Sequence, residues 1–316
     1  MESVDIAKPF LKWVGGKTQI IDHVISRFPQ EIHNYYEPFV GGGSVLLAIL
    51  SHQQCGNIHV SGTIYASDIN AHLIGLYKNI QTNVDALILE LRTLCAEYAE
   101  CIGAEVNRKA STLDEAKTSP ESYYFWIRAK FNALLPAERT GIQASAMFLF
   151  MNKTCFRGVY REGPRGFNVP FGNYKNPAIF DETHLRAISA LIQPVVFSNL
   201  SFETALLSIE PGDFVYMDPP YAPENEKSFV SYTADGFDAE KHKTLFRLSK
   251  QMAQNNIGVV LSNADVPIVR AAFPPELYHT QIISCRRKIH SKSPDARADE
   301  VLITNNSSGL WSCKAT

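Results

Sequence analysis

Asp218, Pro219, Pro220 and Tyr221 stand consecutively, and together they supply what a planar ring with an exocyclic amine needs. The Asp218 carboxylate and the two proline carbonyls accept hydrogen bonds, the prolines bring no competing N–H, and Tyr221 offers a flat aromatic face. Two prolines also fix φ and restrict Asp218, so the turn is stiff before any ligand arrives. This set suits a nucleobase drawn out of a duplex. The competing reading of the same residues is a strand-ending turn in which Asp218 bonds only locally.

Two glycine turns lie upstream. Gly15-Gly16-Lys17-Thr18 leads into the apolar-periodic Ile20, Ile21, Val24 and Ile25, and a glycine turn feeding a helix favours a carboxylate or phosphate, with Lys17 reinforcing it. A P-loop would need glycine where Leu11 stands, so an ATP site is not expected. The second turn, Gly41-Gly42-Gly43, follows Tyr35-Tyr36-Glu37-Pro38-Phe39-Val40 and precedes the apolar Val45 to Leu50. Strand, glycine turn and helix open a nucleotide-binding unit, and Asp68, at the end of a second apolar run from Ile64, can accept hydrogen bonds from ribose hydroxyls. An adenosine-containing cofactor is expected. A dinucleotide fingerprint would require a third glycine where Leu46 stands, so NAD is not.

Met151 to Asn176 has a different character: Lys153, Arg157, Arg161, Arg165 and Lys175 face one acid, Glu162. Phe156, Tyr160, Phe167, Phe171 and Tyr174 are interleaved with glycines. Such a loop suits phosphate contacts, arginine readout of base edges and wedging into a base step, although a solvated basic loop has the same composition. The net charge of −2 gives no global attraction to polyanions, so any nucleic-acid contact must be local. Six scattered cysteines without a C-x-x-C pair and nine histidines without ligand spacing predict buried thiols and no metal.

The elements that must position these groups read as α/β. Phe214 to Met217 predicts a buried strand with Asp218 at its carboxyl end, where open α/β sheets bind ligands. Val195 to Phe197 and Gly258 to Leu261 predict further strands, 239 to 255 a helix, and Tyr278 to Ile289 with Glu300 to Thr304 an antiparallel hairpin around a polar loop carrying Lys292 and Arg297. Residues 70 to 104 and Tyr123 to Leu135 predict helices, the aromatics of the second being core. The expected fold is a Rossmann-like sheet formed by 1–80 and 195–306, interrupted by a mainly helical target-recognition lobe at 81–194, with a disordered tail at 307–316. A cleft between the lobes would seat a large substrate. The chain lacks an apolar run long enough to span a membrane, and its start, with Glu2 and Asp5, lacks the charged and hydrophobic regions of a signal peptide, so an intracellular protein is expected.

Three motifs in this order, Phe10-Leu11-Lys12-Trp13-Val14-Gly15-Gly16-Lys17, Glu37-Pro38-Phe39-Val40-Gly41-Gly42-Gly43-Ser44 and Asp218-Pro219-Pro220-Tyr221, resemble the Dam-type, α-group DNA adenine-N6 methyltransferases. Asn152-Lys153-Thr154-Cys155-Phe156 and Phe167-Asn168-Val169-Pro170-Phe171-Gly172 are similar to that family's target-recognition region; Ser262-Asn263 and Glu300 to Asn305 are similar to its closing elements. The resemblance implies S-adenosyl-L-methionine as methyl donor. It places Trp13 and Lys17 at the methionine end, Phe39 and Gly41 to Gly43 along the middle, Asp68 on the ribose, Phe202 over the adenine and Asp218 beside the methyl. It implies catalysis by Asp218, Pro219, Pro220 and Tyr221, with direct transfer to N6 of a flipped-out adenine. Duplex DNA would be contacted by Lys12, Lys153, Arg157, Tyr160, Arg161, Arg165, Asn168 and Pro170. Members acting on GATC typically carry asparagine where Arg157 stands, and arginine reads guanine, so GATC is not the expected target. An RNA adenine methyltransferase would share the chemistry, and a catalytically silent DNA-binding regulator would share the fold. A monomer is expected, with a cognate restriction endonuclease as a conceivable partner.

Overall fold

The computed structural model describes residues 4–223, 237–286 and 297–305. The tail 307–316 and Lys292 lie outside them. Seven strands form the central sheet: β1 (Tyr35–Glu37), β2 (Ile64–Asp68), β3 (Val195–Asn199), β4 (Phe214–Met217), β5 (Gly258–Ala264), β6 (Tyr278–Arg286) and β7 (Arg297–Asn305). Their spatial order is β6-β7-β5-β4-β1-β2-β3. The five strands β3, β2, β1, β4 and β5 pair in parallel, and β7 lies antiparallel between β5 and β6. The expected Rossmann-like sheet and its closing hairpin are both present.

Strand order reverses between β1 and β4, where Tyr35 pairs with Phe214 and Tyr36 with Val215. This topological switch point sets the Gly41 turn beside Asp218 at the carboxyl edge of the sheet. Phe214 to Met217 are all buried, which explains a continuous apolar run rather than an alternating one. At its other end β4 is fixed by Asp213, whose Oδ1 accepts the Asn34 backbone N–H at 3.2 Å and the Asn34 amide at 2.9 Å.

The helices are α1 (Ser44–Gln54), α2 (Ala71–Thr82), α3 (Val84–Ala99), α4 (Pro120–Asn132), α5 (Ile142–Thr154), α6 (Glu182–Leu191) and α7 (Ala239–Gln254). Local chemistry sets several starts. Asn70, Ser119, Asp181 and Asp238 cap α2, α4, α6 and α7 with side-chain acceptors, and Pro120 occupies the first turn of α4. The helical region at 70–104 divides at Asn83, and Tyr123, Phe125 and Phe131 of α4 are core. Helix α5 is apolar all round and buried from Ala144 to Asn152, so it has no amphipathic period from which to be read. One continuous core joins α1, α2 and one sheet face to α3, α4, α5 and α6; a second core lies on the other face with α7. Among the described residues, no helix is long and apolar enough to cross a membrane.

Candidate active site

The Lys17 ammonium, 2% exposed, lies 2.7 Å from Asp218 Oδ2, donates to the Gly15 carbonyl at 2.5 Å and stands 3.9 Å from Glu300 Oε2. Tyr221 donates its hydroxyl to Glu300 Oε2 at 2.8 Å, and Lys17 Nζ sits 5.0 Å from the centre of the Tyr221 ring. Burial pushes the Asp218 carboxyl up to about 6, while Lys17 pulls against it. Asp218 is therefore chiefly a carboxylate at neutral pH, the acceptor form. Beneath it, burial pushes Glu37 up to about 8, against a 2.7 Å hydrogen bond from the Tyr35 hydroxyl. Glu37 is thus largely neutral, whereas the Glu300 carboxylate adds a negative charge that opposes ionisation of Asp218.

The turn after β4 is braced from outside. Asn263 Oδ1 accepts Ala222 N–H and Ala264 N–H, each at 2.9 Å, and His242 Nε2 lies 3.1 Å from the Pro220 carbonyl. Pro220 thus faces a ring nitrogen, whereas no donor among the described residues reaches the Pro219 carbonyl. The two proline acceptors, equivalent in sequence, are different in the fold.

The cofactor residues gather along the neighbouring edge. A Cβ on Gly41 would lie 2.8 Å from Trp13 Nε1, one on Gly42 2.7 Å from Trp13 Cβ, and one on Gly43 2.5 Å from the Tyr77 hydroxyl. Gly41 and Gly43 also adopt φ of +46° and +72°. The sequence suggested glycine for close approach of a ligand; in the structure the close approach is by Trp13 and Tyr77. Asp68 accepts the Gly41 and Asn70 backbone N–H groups at 3.1 and 2.9 Å, one on each oxygen, and each oxygen keeps a lone pair for a diol. Phe39 and Phe202 stack with centroids 5.4 Å apart, and Phe237 meets both. An acid for a diol, an aromatic wall for a purine and a glycine turn beside Trp13 fit S-adenosylmethionine. Lys17 is the exception, since its ammonium is engaged with Asp218.

Of the expected DNA-contacting residues, some are displayed and some are committed to packing. A hairpin runs from Cys155 to Phe171, closed by the Phe156 N–H to Pro170 carbonyl bond of 2.9 Å and by the antiparallel pair Glu162–Gly163 with Gly166–Phe167. Arg165 is exposed at its tip, and Phe156 is exposed at its base beneath the Arg157 guanidinium, 5.2 Å away. Arg157 takes the left-handed φ of +57°, and its backbone N–H donates to the Tyr174 hydroxyl at 2.9 Å. Arg161 is tied to Asn168 Oδ1 at 2.6 Å. Tyr160 packs between Trp13, Phe148 and Phe167 and donates its hydroxyl to Glu162. Lys153 is half-buried, and burial lowers its ammonium to about 8. Lys12 lies 4.2 Å over the Tyr174 ring. Asn152 joins the segment before the first glycine turn to the hairpin: its amide oxygen accepts Lys12 N–H at 2.9 Å and its amide nitrogen donates to the Lys12 and Gly158 carbonyls.

Sequence reasoning did not assign roles to Glu37, Glu300, His242 and Asn263. Glu37, Asn263 and Glu300 stood inside quoted motifs, whereas nothing local marked His242. Among the described residues, no three His, Cys, Asp or Glu side chains gather as a metal site requires.

A family model described as D12 class N6 adenine-specific DNA methyltransferase matches residues 13–289. The Type II methyltransferase M.MjaIII of Methanocaldococcus jannaschii is 36% identical over 309 residues, covering 94% of this chain and 99% of its own. The DNA adenine methylase of Haemophilus influenzae is 32% identical over 84% of this chain and 82% of its own. That of Escherichia coli strain K12 is 30% identical over 93% and 94%. With the glycine turns, Asp68 and Asp218 assembled on one sheet edge, the chain belongs to the D12 class of N6 adenine-specific DNA methyltransferases, enzymes dependent on S-adenosylmethionine.

Proposed function

We propose that this methyltransferase acts on an adenine turned out of duplex DNA, and that Asp218 and the Pro219 carbonyl hold the two N6 hydrogens. The observation that carries this reading is the sorting of acceptors: Asp218 is charge-paired with Lys17 at 2.7 Å, Pro220 faces the His242 ring nitrogen, and Pro219 is left to accept. Two acceptors on one amine weaken conjugation of its lone pair into the ring and favour a tetrahedral nitrogen. Tyr221, fixed through Glu300, stacks on the base. S-adenosylmethionine supplies a methyl group activated by its sulfonium. Lys17 keeps Asp218 ionised, and no covalent enzyme intermediate is required.

Residues 81–194 serve as the target-recognition segment. In this reading Phe156 wedges at a base step, and Arg157 and Arg165 meet bases or phosphates. The protein works as a monomer inside the cell, wherever its DNA lies. Incubation with plasmid DNA and labelled donor, followed by sequencing that maps modified adenines, tests the reading and defines the site. N6 label on duplex DNA that an RNA competitor does not remove supports it; label on RNA or on cytosine overturns it. Protection of the mapped site against endonucleases of the source strain tests for a cognate restriction partner.

A further inference from the structure

The D-P-P-Y turn cannot hold itself in place by proline donors, because neither Pro219 nor Pro220 has an N–H. Lys17 and Glu300 hold its Asp218 and Tyr221 side chains, and its backbone is met from outside by Asn263 on the Ala222 N–H and His242 at the Pro220 carbonyl. His242 is 1% exposed and comes from α7, across from the turn. Its Nε2 lies 3.1 Å from the Pro220 carbonyl and its Nδ1 3.0 Å from the Asp238 carbonyl. Both neighbours are acceptors, and a neutral imidazole carries one N–H. The Asp238 carbonyl already accepts the His242 backbone N–H at 3.1 Å, whereas the Pro220 carbonyl has no other donor among the described residues. Satisfying both carbonyls therefore puts the proton on Nε2.

We propose that His242 is a positioning residue for methyl transfer: as the Nε2–H tautomer it donates to the Pro220 carbonyl and so keeps Asp218 and the Pro219 carbonyl aimed at the amine. The same ring meets Phe237 edge-on at 4.7 Å, and Phe237 meets Phe39 and Phe202. His242 thus braces the amine clamp and the cofactor's aromatic wall from one place. Burial lowers its pKa, which keeps the ring neutral and makes the tautomer decisive. This role rests on the reading of Asp218 and Pro219 as the amine clamp.

Two measurements test it. Nitrogen-15 NMR of the histidine rings in the wild-type protein should show the His242 proton on Nε2; a proton on Nδ1 overturns the proposal and requires no variant to fold. In single-turnover assays at saturating cofactor, His242→Leu should slow methyl transfer by ~10- to 100-fold, as misplacement of a reacting group does. His242→Gln, which can donate from a similar reach, should restore most of the rate. Wild-type transfer in His242→Leu, or a His242→Gln variant as slow as His242→Leu, overturns it. Transfer that survives in Asp218→Ala would instead sink the clamp itself, whatever His242 does.

Discussion

Lys17 and Asp218 form a close ion pair, Nζ to Oδ2 at 2.7 Å, in which the lysine is almost wholly shielded from solvent and the carboxylate is 19% exposed. The pair joins the first glycine turn to the end of β4, two segments some two hundred residues apart in sequence. It opposes the effect of burial on the carboxyl proposed to accept the substrate amine.

The pH dependence follows from that pairing. With burial pushing the Asp218 carboxyl up to about 6, protonation there removes its charge and weakens it as an acceptor, so methyl transfer should fall as pH drops through that value. Lys17→Met removes the cation that opposes burial, so the acid limb should move to higher pH and turnover at pH 7 should fall on the order of tenfold. A pH–rate profile under single-turnover conditions checks this; an unmoved limb would contradict it.

Glu37 predicts a stability effect of defined sign. Its folded-state carboxyl is raised to about 8, above its unfolded value, so its contribution is fully present at acid pH and is lost as pH rises through about 8. Glu37→Gln keeps a neutral partner for Tyr35. Between pH 6 and pH 9 the wild-type melting temperature should fall by at least about 2–4 °C more than that of the variant, the shift expected for roughly 1 kcal/mol.

Gly42 tests the packing of the glycine turn against Trp13, proposed to lie beside the cofactor. Its φ is permitted to alanine, but a Cβ would meet Trp13 Cβ at 2.7 Å. Gly42→Ala should cost about 1–3 kcal/mol by overpacking and displace Trp13. Calorimetry should then show cofactor affinity reduced by more than tenfold, with the circular dichroism of the fold retained.

Arg157 can be altered without disturbing its backbone. Asparagine tolerates the left-handed φ of +57° better than most residues, so Arg157→Asn should leave the melting temperature unchanged. Turnover measured across single-base variants of the mapped target then reports what the guanidinium does. A uniform loss means phosphate contact; relaxed choice at one position, by ~1–3 kcal/mol, means base readout.

Much of this architecture could be read from the chain because its motifs are local. The buried β4, the glycine turn after β1, Asp68 and the closing hairpin each carry their signal within a few residues. Helix α5 was hidden because it is apolar on every side, and its buried run looks alike for a helix or a strand. Glu300 and His242 acquire their roles from Tyr221 and Pro220, far from them in sequence, which pattern alone does not supply. Tyr160 shows the converse: in composition it belongs to a basic, aromatic, DNA-facing loop, yet the fold uses its ring to pack against Trp13.

The most direct test of the amine clamp is single-turnover methylation of a mapped duplex by Asp218→Ala, with folding checked by circular dichroism and DNA binding by titration. Loss of a preorganised transition-state contact should lower N6 transfer by ~100- to 1,000-fold or more while the variant still folds and binds DNA. A variant that methylates adenine N6 at close to the wild-type rate would contradict the clamp.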